Sequence, residues 1–387
     1  MATQLKIGIV GMGNAGMMHA NSIIGGSIPN AILSAVCDGG KRLECLSGKL
    51  PASTRFFENY DEMLASGACD AVIVATPHFQ HPELSMKALK SGLNVFCEKP
   101  AGVSAGPVRE MNAVAAASRK VFAMHFNRRL EPVFRKLRSM IEGGETGRIF
   151  RINWTATDWY RSDSYFNSAD WRGTWPGEGG GVLINQCIHN LDIWQHLFGM
   201  PSRIRSFCRF GKHHDIEVED EVTAFLENSD GSDGVFIAST GESPGTNRLE
   251  IACSRGKIVM EDRAIKFYRT SVPIDEFNRA NTKGFGEPEH WICDIPISGQ
   301  ADLSGGMLRN FVEAVTDGTP LLVRGEEGLA SLEIANAVLL STWTDGWVSL
   351  PIDAELFETE LRKRIAGSKK KKKKGNSVIL DLKESFK

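Results

Sequence analysis

Two side chains of this sequence, Lys99 and His189, have the residue type and the setting for moving a proton to or from a hydroxyl. Lys99 closes the run NVFCEKP (94–100), whose apolar centre reads as a strand. Its amine therefore stands at the C-terminal lip of that strand, with Pro100 stiffening the backbone behind it. Desolvation at such a lip lowers an amine's pKa toward the range where it exchanges protons. His189 lies in 182–198, a largely apolar run that predicts one buried helix, entered through Gly179, Gly180 and Gly181 and stopped by Gly199 and Pro201. Asn185, His189, Asp192 and His196 fall four, seven and eleven residues apart from the first, on one stripe of that helix. A polar stripe on a buried helix needs partners or a wet cleft, and an imidazole there titrates near neutrality. The plainer alternatives are a lysine capping surface carboxylates and a hydrogen-bonded core histidine. A metal site from Cys187, His189 and Asp192 is not expected: Cys187 points off the stripe, and no second ligand cluster is legible.

Residues 158–178 connect a strand to this helix and carry Trp159, Tyr160, Arg161, Tyr165, Trp171, Arg172 and Trp175. A loop this long is functional or disordered, and this one is too aromatic for disorder. Aromatic faces with interleaved arginines suit a ring with C–H on its faces and hydroxyls on its edge, namely a sugar or cyclitol. Plain packing of the loop, or a subunit contact, is the alternative.

The elements that must position these groups begin at Ile7. The segment IGIVGMGNAGMMHA (7–20) is a β-branched run, then G-x-G-x-x-G at Gly11, Gly13 and Gly16, then a helix opening. Met12, Asn14 and Ala15 complete a loop whose backbone can approach a pyrophosphate at a helix N-terminus. Asp38 closes the next apolar stretch at the separation where a carboxylate reaches ribose hydroxyls and repels a 2′-phosphate. NAD is therefore expected, with NADP possible because Lys41 and Arg42 lie close by in sequence. DAVIVATP (70–77) is a further buried strand ended by Thr76 and Pro77. His78 and His81 follow in a loop at the strand ends, facing either a ligand or solvent.

Strands alternate with helices through residue 126, which predicts a doubly wound parallel sheet. From 127 the pattern changes. Residues 148–157 alternate strictly, with Phe150, Ile152, Trp154 and Ala156 on one face. Further strands of this kind are expected at 203–210, 221–227, 234–241, 248–253 and 257–261, forming a mostly antiparallel, open-faced sheet. The expected division is a dinucleotide-binding domain at 1–126, an α+β substrate domain at 127–366 and a Lys-rich tail at 367–387. Within that tail, the basic run Lys369–Lys374 is expected to stay solvated and inert. A formal net charge of −2 gives no pull toward nucleic acid or an anionic membrane. Eight scattered cysteines without a C-x-x-C pair, no separate apolar leader and no span of bilayer length lead to the expectation of a reduced, cytoplasmic protein.

GMGNAG (11–16), ATPHFQH (75–81), EKP (98–100), FNRR (126–129) and GGGVLINQCIHNLD (179–192) together resemble the glucose–fructose oxidoreductase, inositol dehydrogenase and rhizopine catabolism protein (Gfo/Idh/MocA) family, over nearly the whole chain except the lysine tail. The resemblance implies a Rossmann domain, a C-terminal domain whose open sheet makes a homodimer or homotetramer, a tightly held NAD(H) or NADP(H), and oxidation or reduction of a sugar, polyol or related carbonyl. It implies that Lys99 is the active-site lysine and His189 its acid/base partner. The family often has an aspartate four residues before the histidine. This chain has Asn185, which cannot take a proton and can only position substrate or His189.

The expected reaction has His189 accept the hydroxyl proton and Lys99 stabilise the alkoxide, with the carbinol hydride moving to the nicotinamide. Thr76, Pro77, His78, His81, Glu98 and Lys99 are expected to border the cofactor. Asn127, Trp159, Tyr160, Arg161, Trp171, Arg172, Asn185 and His189 are expected to border the substrate. Two other readings stay open: a glycosidase that oxidises and re-reduces its sugar with no net NADH, and a non-catalytic NAD-binding regulator.

Overall fold

The computed structural model describes residues 4–369, so all but the first lysine of the run Lys369–Lys374 lies outside the described residues. Six short apolar strands form the first sheet: β1 (Leu5–Val10), β2 (Ala31–Cys37), β3 (Arg55–Phe57), β4 (Ala71–Val74), β5 (Asn94–Cys97) and β6 (Phe122–Met124). All five pairings are parallel, in the order β3-β2-β1-β4-β5-β6. β4 is buried at every residue, as a strand covered by helices on both faces must be. The order reverses between β1 and β4, and a crevice opens there at the carboxyl ends of the strands.

The second sheet has nine strands: β7 (Ile149–Ala156), β8 (Arg203–Phe210), β9 (Glu219–Glu227), β10 (Asp233–Ser239), β11 (Asn247–Cys253), β12 (Gly256–Glu261), β13 (Ala264–Thr270), β14 (His290–Ile295) and β15 (Val348–Ser349). Their order is β14-β13-β12-β11-β7-β10-β9-β8-β15. Every pairing is antiparallel except β7 with β10. The sequence reading lacked β13 and β14. The edge strand β14 is largely exposed, so it carries little of the alternation that marks a half-buried strand. On the covered face Trp154 and Trp194 meet Phe236 edge-on, at ring-centroid distances of 6.2 and 6.3 Å. On the open face Phe207, Phe225 and Trp347 are exposed.

The single helix expected over 182–198 is two helices, Val182–Asn185 and Ile188–Phe198. The expected loop 158–178 contains two short helices, Asp163–Asn167 and Trp175–Glu178.

The chain beyond 300 folds back onto the first sheet. Helix Gly306–Asp317 brings Phe311 against Phe96, with ring centroids 5.5 Å apart. Asn336, on helix Gly328–Thr344, accepts from the Ala105 N–H at 3.1 Å and donates to the Val103 carbonyl at 3.0 Å. One continuous cluster of buried apolar side chains runs through both sheets. Among the described residues no helix is long and apolar enough to cross a membrane.

Candidate active site

The glycine loop follows β1, beside the end of β4. Gly11 has φ +89°, and a Cβ there would lie 2.6 Å from the Ala75 carbonyl oxygen. A Cβ on Gly16 would lie 2.0 Å from the Gly11 oxygen, whereas one on Gly13 would meet nothing within 4 Å. The loop is thus pressed against β4 and helix Asn14–Ile24, and open at Gly13, where a pyrophosphate would approach. Gly16→Ala should displace the loop and weaken NADH binding by at least about tenfold, which is one decade per ~1.4 kcal/mol. A fluorescence titration of NADH checks this, and unchanged affinity would count against the loop as the cofactor cradle.

Asp38 accepts from the Met12 N–H at 2.6 Å and the Gly39 N–H at 2.7 Å, while the Arg42 Nε–H donates to the Met12 carbonyl at 2.7 Å. The carboxylate therefore sits at the loop. Met12, expected at the cofactor, turns its side chain fully into the core, and both its backbone groups are engaged. Thr76 Oγ1 is buried beside the loop with no hydrogen-bond partner. An open glycine, a helix N-terminus and an unpaired hydroxyl fit a dinucleotide at this crevice.

Neither loop histidine is solvent-exposed. The His81 ring nitrogens lie 2.6 and 2.7 Å from the Pro100 and Thr76 carbonyl oxygens, so this residue ties the ends of β5 and β4 together. His78 Nδ1 lies 3.1 Å from the Glu178 carbonyl oxygen, and its ring meets Trp171 edge-on at 5.7 Å. Glu98, also expected at the cofactor, has its carboxylate engaged by two histidines. Its Oε1 lies 2.7 Å from His19 Nε2 and 2.6 Å from His125 Nδ1. Burial works to raise the Glu98 pKa, but His125 and His19 outweigh it and hold the carboxyl well below its ordinary range. This corrects the expectation that no second ligand cluster exists, since the His19, Glu98 and His125 ligand atoms lie within 4.8 Å of one another. Two imidazole N–H groups on one carboxylate oxygen also satisfy that carboxylate as a hydrogen-bonded network.

Lys99 follows β5, and its peptide bond to Pro100 is cis. Its ammonium donates to the Asn185 backbone oxygen at 2.7 Å and lies 3.5 Å from Asn185 Oδ1. A helix's last carbonyls lack intrahelical partners, and the break after Asn185 leaves this one for Lys99. Burial brings the Lys99 pKa down to about 8; Glu98 and Glu178 hold it up, while Arg172 and Arg161 push it lower. Glu219 fixes the start of the same short helix by accepting from the Gly181 and Leu183 N–H groups at 2.8 and 3.1 Å. A Cβ on Gly181 would lie 2.0 Å from the Glu219 backbone oxygen, so this glycine is required for the approach.

The helix break also divides the predicted stripe. Asp192 receives a two-pronged bond from Arg129 at 2.8 and 2.6 Å, and His196 lies against Arg138. Only Asn185 and His189 remain candidates for the site. His189 is buried, edge-on to Phe126 at 6.0 Å, and its Nδ1 has no partner. Burial lowers its pKa well below 6.5, and the Lys99 charge is the next largest cause.

Trp159 is core: its indole N–H donates to Asn190 at 3.0 Å, and Arg128 covers its ring at 4.7 Å. Tyr160 is 50% exposed. Arg161 lies over Trp159 and Tyr165, and Arg172 over Tyr165 and Trp171. Asn127 donates to the Leu303 carbonyl at 3.0 Å, leaving its own oxygen buried and unpaired. Sequence reasoning placed Tyr165 only among the loop aromatics suited to a sugar ring, and assigned no role to Gln186 or Glu178. The Tyr165 hydroxyl meets Arg172, the Asn185 amide at 3.1 Å and the Gln186 amide at 3.1 Å. Glu178 is 1% exposed and reaches the Asn185 amide. Its only signal in the sequence was an acid placed directly before three glycines.

Comparison with known proteins places both halves. Residues 5–126 match the model of an oxidoreductase family with an NAD-binding Rossmann fold, and residues 134–259 match the GFO/IDH/MocA C-terminal domain. The chain is 24% identical over 346 residues to an inositol 2-dehydrogenase of Rhizobium meliloti, covering 87% of this chain and 96% of that protein. It is 26% identical over 347 residues to the rhizopine catabolism protein MocA of Rhizobium meliloti, covering 87% and 94%. The fold is similar to that of the WlbA dehydrogenase from Bordetella pertussis in complex with NADH and UDP-GlcNAcA, with a TM-score of 0.75, 22% identity and coverage of 90% and 100%. It is likewise similar to levoglucosan dehydrogenase in complex with NADH and levoglucosan, with a TM-score of 0.74, 19% identity and coverage of 90% and 100%.

Proposed function

We propose, from the premise that this chain belongs to the GFO/IDH/MocA family of NAD-binding oxidoreductases, that it oxidises a hydroxyl or reduces a carbonyl of a sugar, polyol or cyclitol. The observation that carries this reading is the Lys99 ammonium, delivered by the first sheet beside the glycine loop and bonded to Asn185 of the second half at 2.7 Å. The loop at Gly11–Gly16, with Asn14, Ala15 and Thr76, would hold the cofactor, and Asp38 its adenosine ribose. The bound nicotinamide supplies hydride acceptance and return. An amine with a pKa of about 8 is matched to taking and returning the hydroxyl proton near neutrality. His189, kept neutral by burial and by the Lys99 charge, is a poor base but a good hydrogen-bond partner for the same oxygen. This division of labour moves the proton from His189, where the sequence reading had it, to Lys99. Arg172, Trp171 and Tyr165 line the wall on which a ring with hydroxyl edges would rest. The exposed aromatics Phe207, Phe225 and Trp347 favour pairing of copies through the open sheet face.

The test is a panel of cyclitols, sugars and sugar acids with NAD⁺ and with NADP⁺, followed at the NADH absorbance band. We expect turnover with NAD⁺ preferred, and His189→Gln should retain NADH binding while losing about 10²-fold in kcat. Cleavage of a glycoside with no net change in absorbance would replace dehydrogenation by the redox-assisted route.

A further inference from the structure

Asn185 stands between a buried base and a buried acid. Its Oδ1 faces the Lys99 ammonium at 3.5 Å, and its Nδ2 donates to Glu178 Oε1. The other Glu178 oxygen accepts from the Gly173 N–H at 2.7 Å. Gly173 is itself held in place, because it has φ +67° and a Cβ there would lie 2.6 Å from Ile216. The amide dipole is thus aligned from carboxylate to ammonium, its positive end on the anion and its negative end on the cation. Glu178 is 1% exposed, and burial pushes its carboxyl up from the ordinary range; Arg172, the Gly173 N–H, the Asn185 amide and Lys99 work against that and favour the charged form.

We propose that Glu178 is the counter-charge of the reactive amine, acting on Lys99 through the side-chain amide of Asn185. This rests on the reading of Lys99 as the proton carrier. Glu178 is a positioning residue: it touches neither substrate nor cofactor, but it sets how readily the amine gives its proton back. The charged groups that act on Lys99 are Glu98, Arg172, Arg161 and Glu178; the titratable neighbours that feel its charge are His78, His81 and His189, the last also facing Arg128 and His125. Those acting on Glu178 include Arg172, Lys99 and, across the glycine turn, Glu219. With Glu178 neutralised, burial and two guanidinium groups are opposed by Glu98 and by the Asn185 oxygens that face the ammonium, so the amine should become more acidic.

The test uses E178Q and the double variant E178Q/N185D. In the double variant the bonds keep their geometry with polarity exchanged: the new amide donates to the new carboxylate, which faces Lys99 directly. The Lys99 ¹³Cε shift is followed against pH in the NADH-bound protein, the signal being identified by its loss in Lys99→Arg. The pH profile of turnover is recorded beside it. E178Q should lower the Lys99 midpoint by about one pH unit and move the turnover limb with it. The double variant should return both to the wild-type value or above. An unchanged midpoint in folded E178Q, or a double variant that does not restore it, overturns the proposal. If E178Q does not fold, the double variant decides alone: a midpoint below wild type overturns it. If the wild-type protein turns over no alcohol, the functional reading fails while the Lys99 titration still decides this one.

Discussion

Lys99→Ala is expected to cut kcat for alcohol oxidation about 10³-fold, within the range of a lost general acid or base, with NADH affinity changed little. In the proposed reading pyrophosphate and ribose contacts would lie on the glycine loop and Asp38, and the lysine would meet only the reacting edge, so binding and turnover should separate. The pH profile sharpens the prediction. Oxidation needs the neutral amine, so its rate should rise with pH through about 8 and then level off. Reduction needs the ammonium, so its rate should be level below that pH and fall above it. If His189 were the proton acceptor, the oxidative limb would instead lie well below pH 6.5, because burial and the Lys99 charge depress that imidazole. Steady-state rates in both directions between pH 5 and pH 10 distinguish the two. A limb near 8 that survives in Lys99→Ala would remove the lysine from the proton path.

Arg129→Ala is expected to be the most destabilising single change at the junction between the halves. Arg129 donates two bonds to Asp192, which is fully buried, and a third to Glu327 at 2.5 Å. Removing the guanidinium strands a carboxylate away from water, at a cost of about 3–5 kcal/mol for a broken buried pair. Denaturant unfolding checks this through the midpoint at constant slope. The double variant Arg129→Met/Asp192→Leu should recover most of the loss, because neither charge then remains to be desolvated. A single-variant cost under about 1 kcal/mol, as for an exposed pair, would show that water reaches Asp192.

How much of this was legible depended on whether the signal was local. The glycine loop was legible because Gly11 and Gly16 answer to contacts made within the segment or with the next strand of the same unit. β1 and β4 were legible because strands buried on both faces are continuous apolar runs. The second sheet was legible where one face is wet, as in β7 and β9, and was missed at the exposed edge strand β14 and at β13 beside it. The polar stripe failed for a physical reason. A helical periodicity assumes unbroken hydrogen bonding, and nothing in 182–198 announces that the helix stops at Asn185 so that its carbonyl can meet Lys99. Trp159 failed in another way, since an aromatic residue reads the same in sequence whether its ring faces a ligand or the core.

The sequence by itself thus determined the residues able to do chemistry and the frame that holds the cofactor, because residue type and short-range spacing set both. Only the tertiary structure decided which of those residues share an environment. It placed Glu178 behind Asn185, His19 and His125 on Glu98, and Arg129 on Asp192. It also decided protonation, lowering Lys99 to about 8 and His189 further below its ordinary value. The reason is that desolvation and Coulomb interactions depend on distance in space, and chain segments far apart in sequence meet only once both sheets have packed.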